Sequence, residues 1–352
     1  MMVGDGMGVT VISGNRSVID GWTTFRSATF AVSGRGFIAR DITFENTAGA
    51  AKHQAVALRS DSDLSVFFRC EIKGYQDTLY THTMRQFYRE CRISGTVDFI
   101  FGDATAVFQN CQILAKKGLS NQKNTITAQG RKDPNEPTGF SIQFCNISAD
   151  IDLLPYTNST YTYLGRPWKI FSRTVVMQSY MSDVIRPQGW LEWSGDQYLD
   201  TLHYGEYLNY GPGAGLANRV KWPGYHIFNT SNQANNFTVA QFIEGNLWLP
   251  STGVRYTAGP GGCTLGQSFL SSTLTIFIDP TGWTNWFGDQ GLDGLYYGEY
   301  DNYGPGSAVD SRVTWPGFHI MDAYDVYNFT VSYFITGDEW LHSTSFPYDD
   351  GI

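Results

Sequence analysis

The sequence predicts an all-β chain wound as a parallel β-helix, and three observations carry that expectation. Short segments rich in aromatic and β-branched residues recur along the first 150 residues. No helical period runs through residues 1–180. Polar residues set inside apolar runs are separated by about the same interval as the segments themselves.

The unit appears first as FIARDITFENT around Asp41. It returns as LSVFFRCEIKG, RQFYRECRISG, TAVFQNCQILA and FSIQFCNISAD, with an aromatic ahead of Cys70, Cys91, Cys111 and Cys145. Consecutive markers lie 29, 21, 20 and 34 residues apart. Each unit reads as a short strand bounded by Gly, Asp or Asn turns. Strands at such spacing without intervening helices suit coils stacked edge to edge, so that equivalent positions form ladders along the axis. Leucine-rich repeats share the period, but their regular leucines are absent; a β-sandwich is the remaining alternative. Stacking makes Cys70, Cys91 and Cys111 neighbours, and disulfides are expected among the marker cysteines. Cys70–Cys91 with Cys111–Cys145 is one pairing and Cys91–Cys111 another, while four buried thiols are the alternative. Cys263 stands outside the pattern and is expected to be a free thiol.

A longer repeat follows. HYGEYLNYGPGAGLANRVKWPGYHI from His203 returns as YYGEYDNYGPGSAVDSRVTWPGFHI from Tyr296, and Trp190 and Trp193 recur as Trp283 and Trp286. Residues 282–352 therefore read as a partial, non-catalytic copy of 189–258. Residues 259–281, Gly- and Ser-rich before an apolar run, read as a linker, and residues 1–258 as the principal domain.

Composition narrows the function. With 42% hydrophobic and 16% charged residues the chain is globular, and it holds no apolar run long enough for an ordinary transmembrane helix. The net charge of −9 is uneven: residues 259–352 carry one basic and twelve acidic residues, whereas residues 1–258 sit near +2. A near-neutral front part tolerates an acidic polymer. No basic cluster supports nucleic-acid binding. The start, MMVGDGMGVT, lacks the pattern of a secretory signal, so we expect either a cytosolic protein or a missing N-terminal part. Asn15, Asn146, Asn158, Asn229, Asn236 and Asn328 fit the glycosylation triplet and, with the cysteines, favour a secretory route.

GxSxG, HExxH and CxxC are absent, the six histidines are scattered, and GDGMG and GPGAG read as turns rather than phosphate loops. What remains is Gln54 in QAVALR, Gln76 and Asp77 in YQDTLY, and Asp98 in GTVDFIFG. The spacings, 22 from Gln54 to Gln76 and 21 from Asp77 to Asp98, match the coil length and place all four on adjacent coils of one face. Strands lie about 4.8 Å apart, so the carboxylates meet. Two close carboxylates divide their protonation, one ionised and one neutral, which supplies a nucleophile beside an acid without histidine. A glutamine amide suits an oxyanion. Arg166 in LGRPWK suits the ionised aspartate. Tyr80, Phe101 and Trp168 follow the polar motifs and offer flat rings to sugars. A purely structural polar ladder is the alternative.

In this order, GWTTFRSATF, FIARDITFENTAG, HQAVALR, GYQDTLY, GTVDFIFG, YLGRPWK and RVKWPGYH resemble the motifs of plant pectin methylesterases (pectinesterases) over residues 3–258. The resemblance implies a right-handed parallel β-helix, here with a C-terminal loop and helix extension. It implies hydrolysis of methyl esters of pectin, with Asp98 as nucleophile and Asp77 as acid and then base. Gln76 and Gln54 would serve the oxyanion, Arg166 would orient Asp98, and Trp168 and Thr24 would contact substrate. It implies no metal or organic cofactor, methyl-esterified homogalacturonan as substrate, a proteinaceous inhibitor as partner, and secretion to the cell wall; we expect a monomer. The family's first coil is missing before Val3 and the copied tail is an addition, so a less stable fold is expected. An inactive, truncated copy that only binds wall polymers is the alternative, and a β-helix hydrolase or lyase cutting the polymer chain is a more distant one.

Overall fold

In a computed structural model the described residues are 1–259 and, beyond them, 266–270 (as backbone), 274, 278–285, 292, 295–327 and 329–331. Cys263, Trp286, Asn328 and residues 332–352 lie outside them. The chain divides into two compact units, Met1–Pro260 and Gly261–Ile352.

The first unit is a right-handed parallel β-helix of three sheets. A nine-stranded sheet runs from Met2–Val3 through Ser65–Phe68, Arg85–Arg89, Thr105–Gln109 and Gly139–Gln143 to Tyr225–Ile227. A seven-stranded sheet takes Val11–Gly14 to Tyr180–Met181, and a six-stranded sheet takes Phe30–Arg35 to Thr162–Gly165. Every pairing is parallel. The repeating segments of the sequence are the strands on either side of one corner.

That corner has a simple local cause. The residue before each marker cysteine adopts a positive φ, Arg69 (49°), Glu90 (54°), Asn110 (56°) and Phe144 (55°), and so does Asp41 (58°), which the register places opposite Arg69; Gln178 and Leu208 continue the series. One left-handed residue per coil turns the chain from the nine-stranded into the seven-stranded sheet. Inside the coils, like residues stack. Phe44, Ile72, Ile93, Ile113, Ile147 and Met181 pair in register, and Phe67, Tyr88 and Phe108 stack with centroids 4.9 and 4.7 Å apart. Burying such columns on both sides of each coil is the main stabilising term, at roughly 25 cal/mol per Å² of apolar area.

The cysteine expectation is corrected here: Cys70, Cys91, Cys111 and Cys145 are buried free thiols, not disulfides. In-register parallel neighbours sit about 4.8 Å apart, whereas a disulfide draws Cβ atoms to about 3.8 Å. The thiols bond to backbone instead. Cys91 Sγ donates to the Phe67 carbonyl (3.2 Å), and the Cys111 amide donates to Cys145 Sγ (3.3 Å). Ser179 Oγ and Asn209 Oδ1 continue the ladder by accepting the Cys145 and Ser179 amides, both at 3.0 Å. Burial pushes the Cys91 and Cys145 thiols up, away from the reactive thiolate. Neighbouring thiols shift Cys70 and Cys111 the other way, so the protection of the set rests on burial, which all four share. These four cysteines should resist a thiol reagent until the protein unfolds; peptide mapping that finds any of them labelled in the folded protein contradicts this.

The outer face of the nine-stranded sheet is apolar and is covered by the extension that follows Ile227. Its helices Ser231–Asn235 and Val239–Phe242 start from Thr caps at Thr230 and Thr238. Val239, Ile243, Trp248, Leu249 and Val254 pack on Val66, Phe87 and Val107. Of the described residues, no helix is long and apolar enough to cross a membrane.

The second unit holds a three-stranded parallel sheet of Gly266–Leu270, Tyr296–Tyr300 and Phe318–Ile320. Gly266 pairs with Tyr296 as Arg173 pairs with His203 in the first unit, the same 93-residue displacement that relates the two copies. Residues 266–270, expected within a linker, are thus a strand. GQSFL keeps only the backbone pairing of RTVVM, which hid the copy behind Gly and Ser content.

Candidate active site

The aspartates sit where the chain enters consecutive strands of the six-stranded sheet. Leu79–Thr81 and Ile100–Gly102 pair with Leu79 opposite Ile100 and Tyr80 opposite Phe101, a register of 21. The same displacement relates Asp77 to Asp98, and the Asp77 amide donates to the Val97 carbonyl (3.0 Å). Both aspartates adopt positive φ, 62° and 52°. Left-handed backbone costs on the order of 1 kcal/mol at such residues, and packing on both sides holds it in place here.

Their environments differ. Asp98, 6% exposed, accepts Arg166 Nε at Oδ1 (2.8 Å) and Arg166 Nη2 at Oδ2 (2.7 Å), a bidentate charged pair. Thr125 Oγ1 donates to Oδ1 (2.6 Å) and accepts the Asp98 amide (2.9 Å). The guanidinium of Arg166 lies 4.4 Å over the ring of Trp193, which fixes its plane. Asp77, 8% exposed, has no such donors. Burial, and next the charge of Asp98, push its carboxyl well above the usual carboxylate range, and Arg166 opposes this only in part. One carboxyl is therefore clamped by a guanidinium beside another whose ionisation burial disfavours.

Gln76, Arg166 and Trp193 line a cavity of about 460 Å³ with Val97 and Leu191. Gln54 is half-buried one coil earlier, where the Ala55 amide donates to the Gln76 carbonyl (3.2 Å). Its spacing of 22 misses the register by one, so Ala55, not Gln54, stands opposite Gln76. Tyr80 stacks on Phe101 at 4.3 Å, and Trp168 meets Phe101 edge-on at 6.0 Å. Burial pushes the Tyr80 phenol up to about 12, so it stays neutral. Thr24 lies in the short turn Thr24–Arg26, where its carbonyl accepts Ser27 Oγ. The neighbouring Phe25 stands edge-on to Tyr80 at 6.5 Å under the guanidinium of Arg59.

Sequence reasoning passed over Thr125, Trp193 and Phe25. Thr125 lies 27 residues after Asp98, off the coil period, because residues 116–123 leave the coil between them. Trp193 was visible only as a repeated tryptophan. Phe25 sits inside GWTTFRSATF, beside Thr24, but no spacing ties it to the aspartates.

Fold and site together define a parallel β-helical protein with two buried aspartates on adjacent coils, one of them clamped by an arginine that also lines a cavity. A pectinesterase family model matches residues 1–246 and 267–338. The chain belongs to the pectinesterase family. It is 82% identical over 259 residues to pectinesterase/pectinesterase inhibitor PPE8B of Prunus persica, covering 73% of this chain and 50% of that protein. Among solved structures it is similar to pectin methylesterase from carrot (56% identity, TM-score 0.72, covering 72% of this chain and 80% of that one). It is also similar to pectin methylesterase from Aspergillus niger (33% identity, TM-score 0.60, 69% and 74% covered). The chain spans about half the length of the curated relatives it matches.

Proposed function

We propose that the first unit hydrolyses the methyl esters of pectin, converting methyl-esterified homogalacturonan and water to pectate and methanol through an aspartyl acyl-enzyme. The observation that carries this is the unequal carboxyl pair: Asp98 bound by Arg166 and Thr125, and beside it Asp77, whose carboxyl burial pushes well above the usual range. In this reading Asp98 attacks the ester carbonyl, and the oxyanion that forms takes hydrogen bonds from the amides of Gln76 and Gln54. Asp77 gives its proton to the departing methoxide as the C–O bond breaks. It then takes a proton from water, whose hydroxide opens the Asp98 anhydride and restores both groups. Tyr80, Phe101 and Trp168 form the wall against the sugar rings, and Thr24 lies at its margin. The names borne by the relatives support the substrate, and the same reading puts the protein at the cell wall, with a proteinaceous inhibitor as partner.

The second unit repeats scaffold without site. At the 93-residue displacement Arg166 and Trp168 fall on glycines, Gly259 and Gly261, and residues 282–352 hold no counterpart of Asp77 or Asp98. We assign it no catalytic role.

The test is methanol release from highly methylated pectin with reducing ends followed in parallel. New reducing ends would point to chain cleavage instead. A companion experiment concerns Asp77. Its raised pKa means the stability it contributes is complete below the ordinary aspartate value and is lost as pH rises through the raised one. Asp77→Asn should therefore abolish turnover yet raise Tm at neutral and alkaline pH, with the gain vanishing below about pH 4. Equal Tm values at every pH would show that Asp77 is not under electrostatic strain.

A further inference from the structure

The first unit has a second opening away from the cleft. A cavity of about 850 Å³ lies around the first residues of strands Arg173–Met177, His203–Tyr207 and Tyr225–Ile227, and it shares no lining residue with the cavity that holds Gln76 and Arg166. Two arginines enter it. Arg131 donates Nε to the Glu136 carbonyl (2.9 Å) and Nη2 to the Pro134 carbonyl; Arg173 donates Nε to the Thr138 carbonyl (2.7 Å) and Nη2 to the Glu136 carbonyl (3.5 Å). Neither pairs with a carboxylate of any described residue.

The acids of this neighbourhood are already engaged. Glu136 Oε2 accepts the amides of Lys132 and Asp133, and Asp133 Oδ1 accepts Asn135. Asp103 Oδ1 accepts Thr138 Oγ1 (2.7 Å) and Gln129 Nε2 (3.3 Å). On the opposite wall His203 lies 4.7 Å from His226 and stacks on Phe237 at 5.6 Å, with Phe228 beside it at 6.0 Å. Burial, and after it His226, Arg173 and Arg131, push His203 down to about 4. Burial and Arg131 lower Arg173 to about 10. Arg131 feels the charges of Glu136, Asp103 and Asp133 without pairing to any of them, and the half-buried Arg173 faces only the like charge of Arg131. Positive charge so placed is costly unless an anion completes it.

We propose that this cavity binds a carboxylated sugar, a uronate unit of de-esterified polymer, outside the catalytic cleft. Arg131 and Arg173 take the carboxylate, and Phe228 and Phe237 give the ring an apolar wall. The choice of a uronate among anions rests on the function proposed above; the charge of the cavity does not. Cleft and cavity are tied together. Gln129 Oε1 accepts the amides of both arginines, the Phe171 amide donates to the Arg131 carbonyl, and Gly130 lies so close to Trp168 that a Cβ there would come within 2.7 Å of its ring. Gln129, Gly130 and Trp168 thus lie between the two sites, while Arg131 and Arg173 face only the cavity, so product held in the cavity stays tethered beside the cleft. The copy does not keep the arrangement: at the 93-residue displacement Arg173 becomes Gly266 and His203 becomes Tyr296, which stacks on Phe329 at 5.4 Å.

The experiment follows the imidazole of His203 by NMR in the full chain, assigned through His203→Gln, with trigalacturonate or inorganic phosphate as probe. A carboxylate at the arginines should raise its titration midpoint by at least about one pH unit with trigalacturonate and much less with phosphate at equal concentration. The double variant Arg131→Gln/Arg173→Gln should lose the shift, while methanol release from a short esterified oligomer stays within about twofold of the parent. If that variant does not fold, His226→Glu, which places a competing carboxylate in the cavity, should abolish the shift instead. No shift with trigalacturonate, or an equal one with phosphate, overturns the proposal. Failure of the esterase reading would show separately, as absence of methanol release with the His203 response unaffected.

Discussion

Asp98→Asn is expected to lower methanol release from methylated pectin by at least about 10⁴-fold while leaving the fold near its parent stability. The amide is isosteric and keeps an oxygen for Thr125 Oγ1 and Arg166, but it is a poor nucleophile. It also removes the charge that contributes to holding Asp77 protonated. Kinetics should show the loss in kcat with KM little changed, because the aromatic wall of Tyr80, Phe101 and Trp168 is untouched. Arg166→Lys makes the complementary measurement. Lysine keeps one positive charge but cannot bridge both Asp98 oxygens or lie flat on Trp193, so activity should fall by a smaller factor, roughly 10²-fold. Full activity in Asp98→Asn would remove Asp98 from the chemistry and leave the carboxylate pair as a structural feature.

Why Asp98 was readable in the sequence and Thr125 was not has a physical answer. A parallel β-helix turns sequence spacing into spatial adjacency only where coils have equal length. Between Asp77 and Asp98 the coil is 21 residues, the register seen at Leu79 and Ile100. Beyond Asp98 the coil is longer, because residues 116–123 leave the sheet. Thr125 therefore reaches Asp98 through a spacing that no period predicts. Gln54 shows how narrow the margin is, since one residue too many puts Ala55 opposite Gln76. The cysteines show the opposite failure. Their ladder was legible, but their chemistry was not, because stacking in register brings thiols near each other while keeping their Cβ atoms too far apart to bridge. The strand Gly266–Leu270 was hidden for a third reason. A parallel pairing needs only backbone donors and acceptors, so side chains can drift until the segment resembles a linker.

Arg219→Met should be the most destabilising single change outside the site. Arg219 and Glu206 are 2% and 1% exposed at their side chains and form a bidentate pair, Nε to Oε1 at 2.8 Å and Nη2 to Oε2 at 3.1 Å. Arg219 also donates to the carbonyls of Pro187 and Gly213, while Trp190 Nε1 (3.2 Å) and Tyr225 OH (3.1 Å) donate to Glu206. The pair thus ties four segments of the last coils together: Pro187–Trp190, the strand His203–Tyr207, the turn at Gly213, and the WPGYH motif that holds Tyr225. Removing Arg219 alone strands a buried carboxylate, a loss of about 3–5 kcal/mol. For a unit of this size that lowers Tm by about 6–20 °C. Replacing both partners, Arg219→Met with Glu206→Leu, should recover much of the loss, because no unpaired charge then remains. The second unit repeats the pair as Arg312 and Glu299, again at 2.8 Å, with Trp283 Nε1 donating to Glu299 at 2.9 Å. The repeated sequence keeps this cluster where it does not keep Arg173 or His203, as expected if the buried pair is what lets this strand arrangement stand. If Arg219→Met melts within about 1 °C of the parent, the last coils do not depend on the pair and that argument fails.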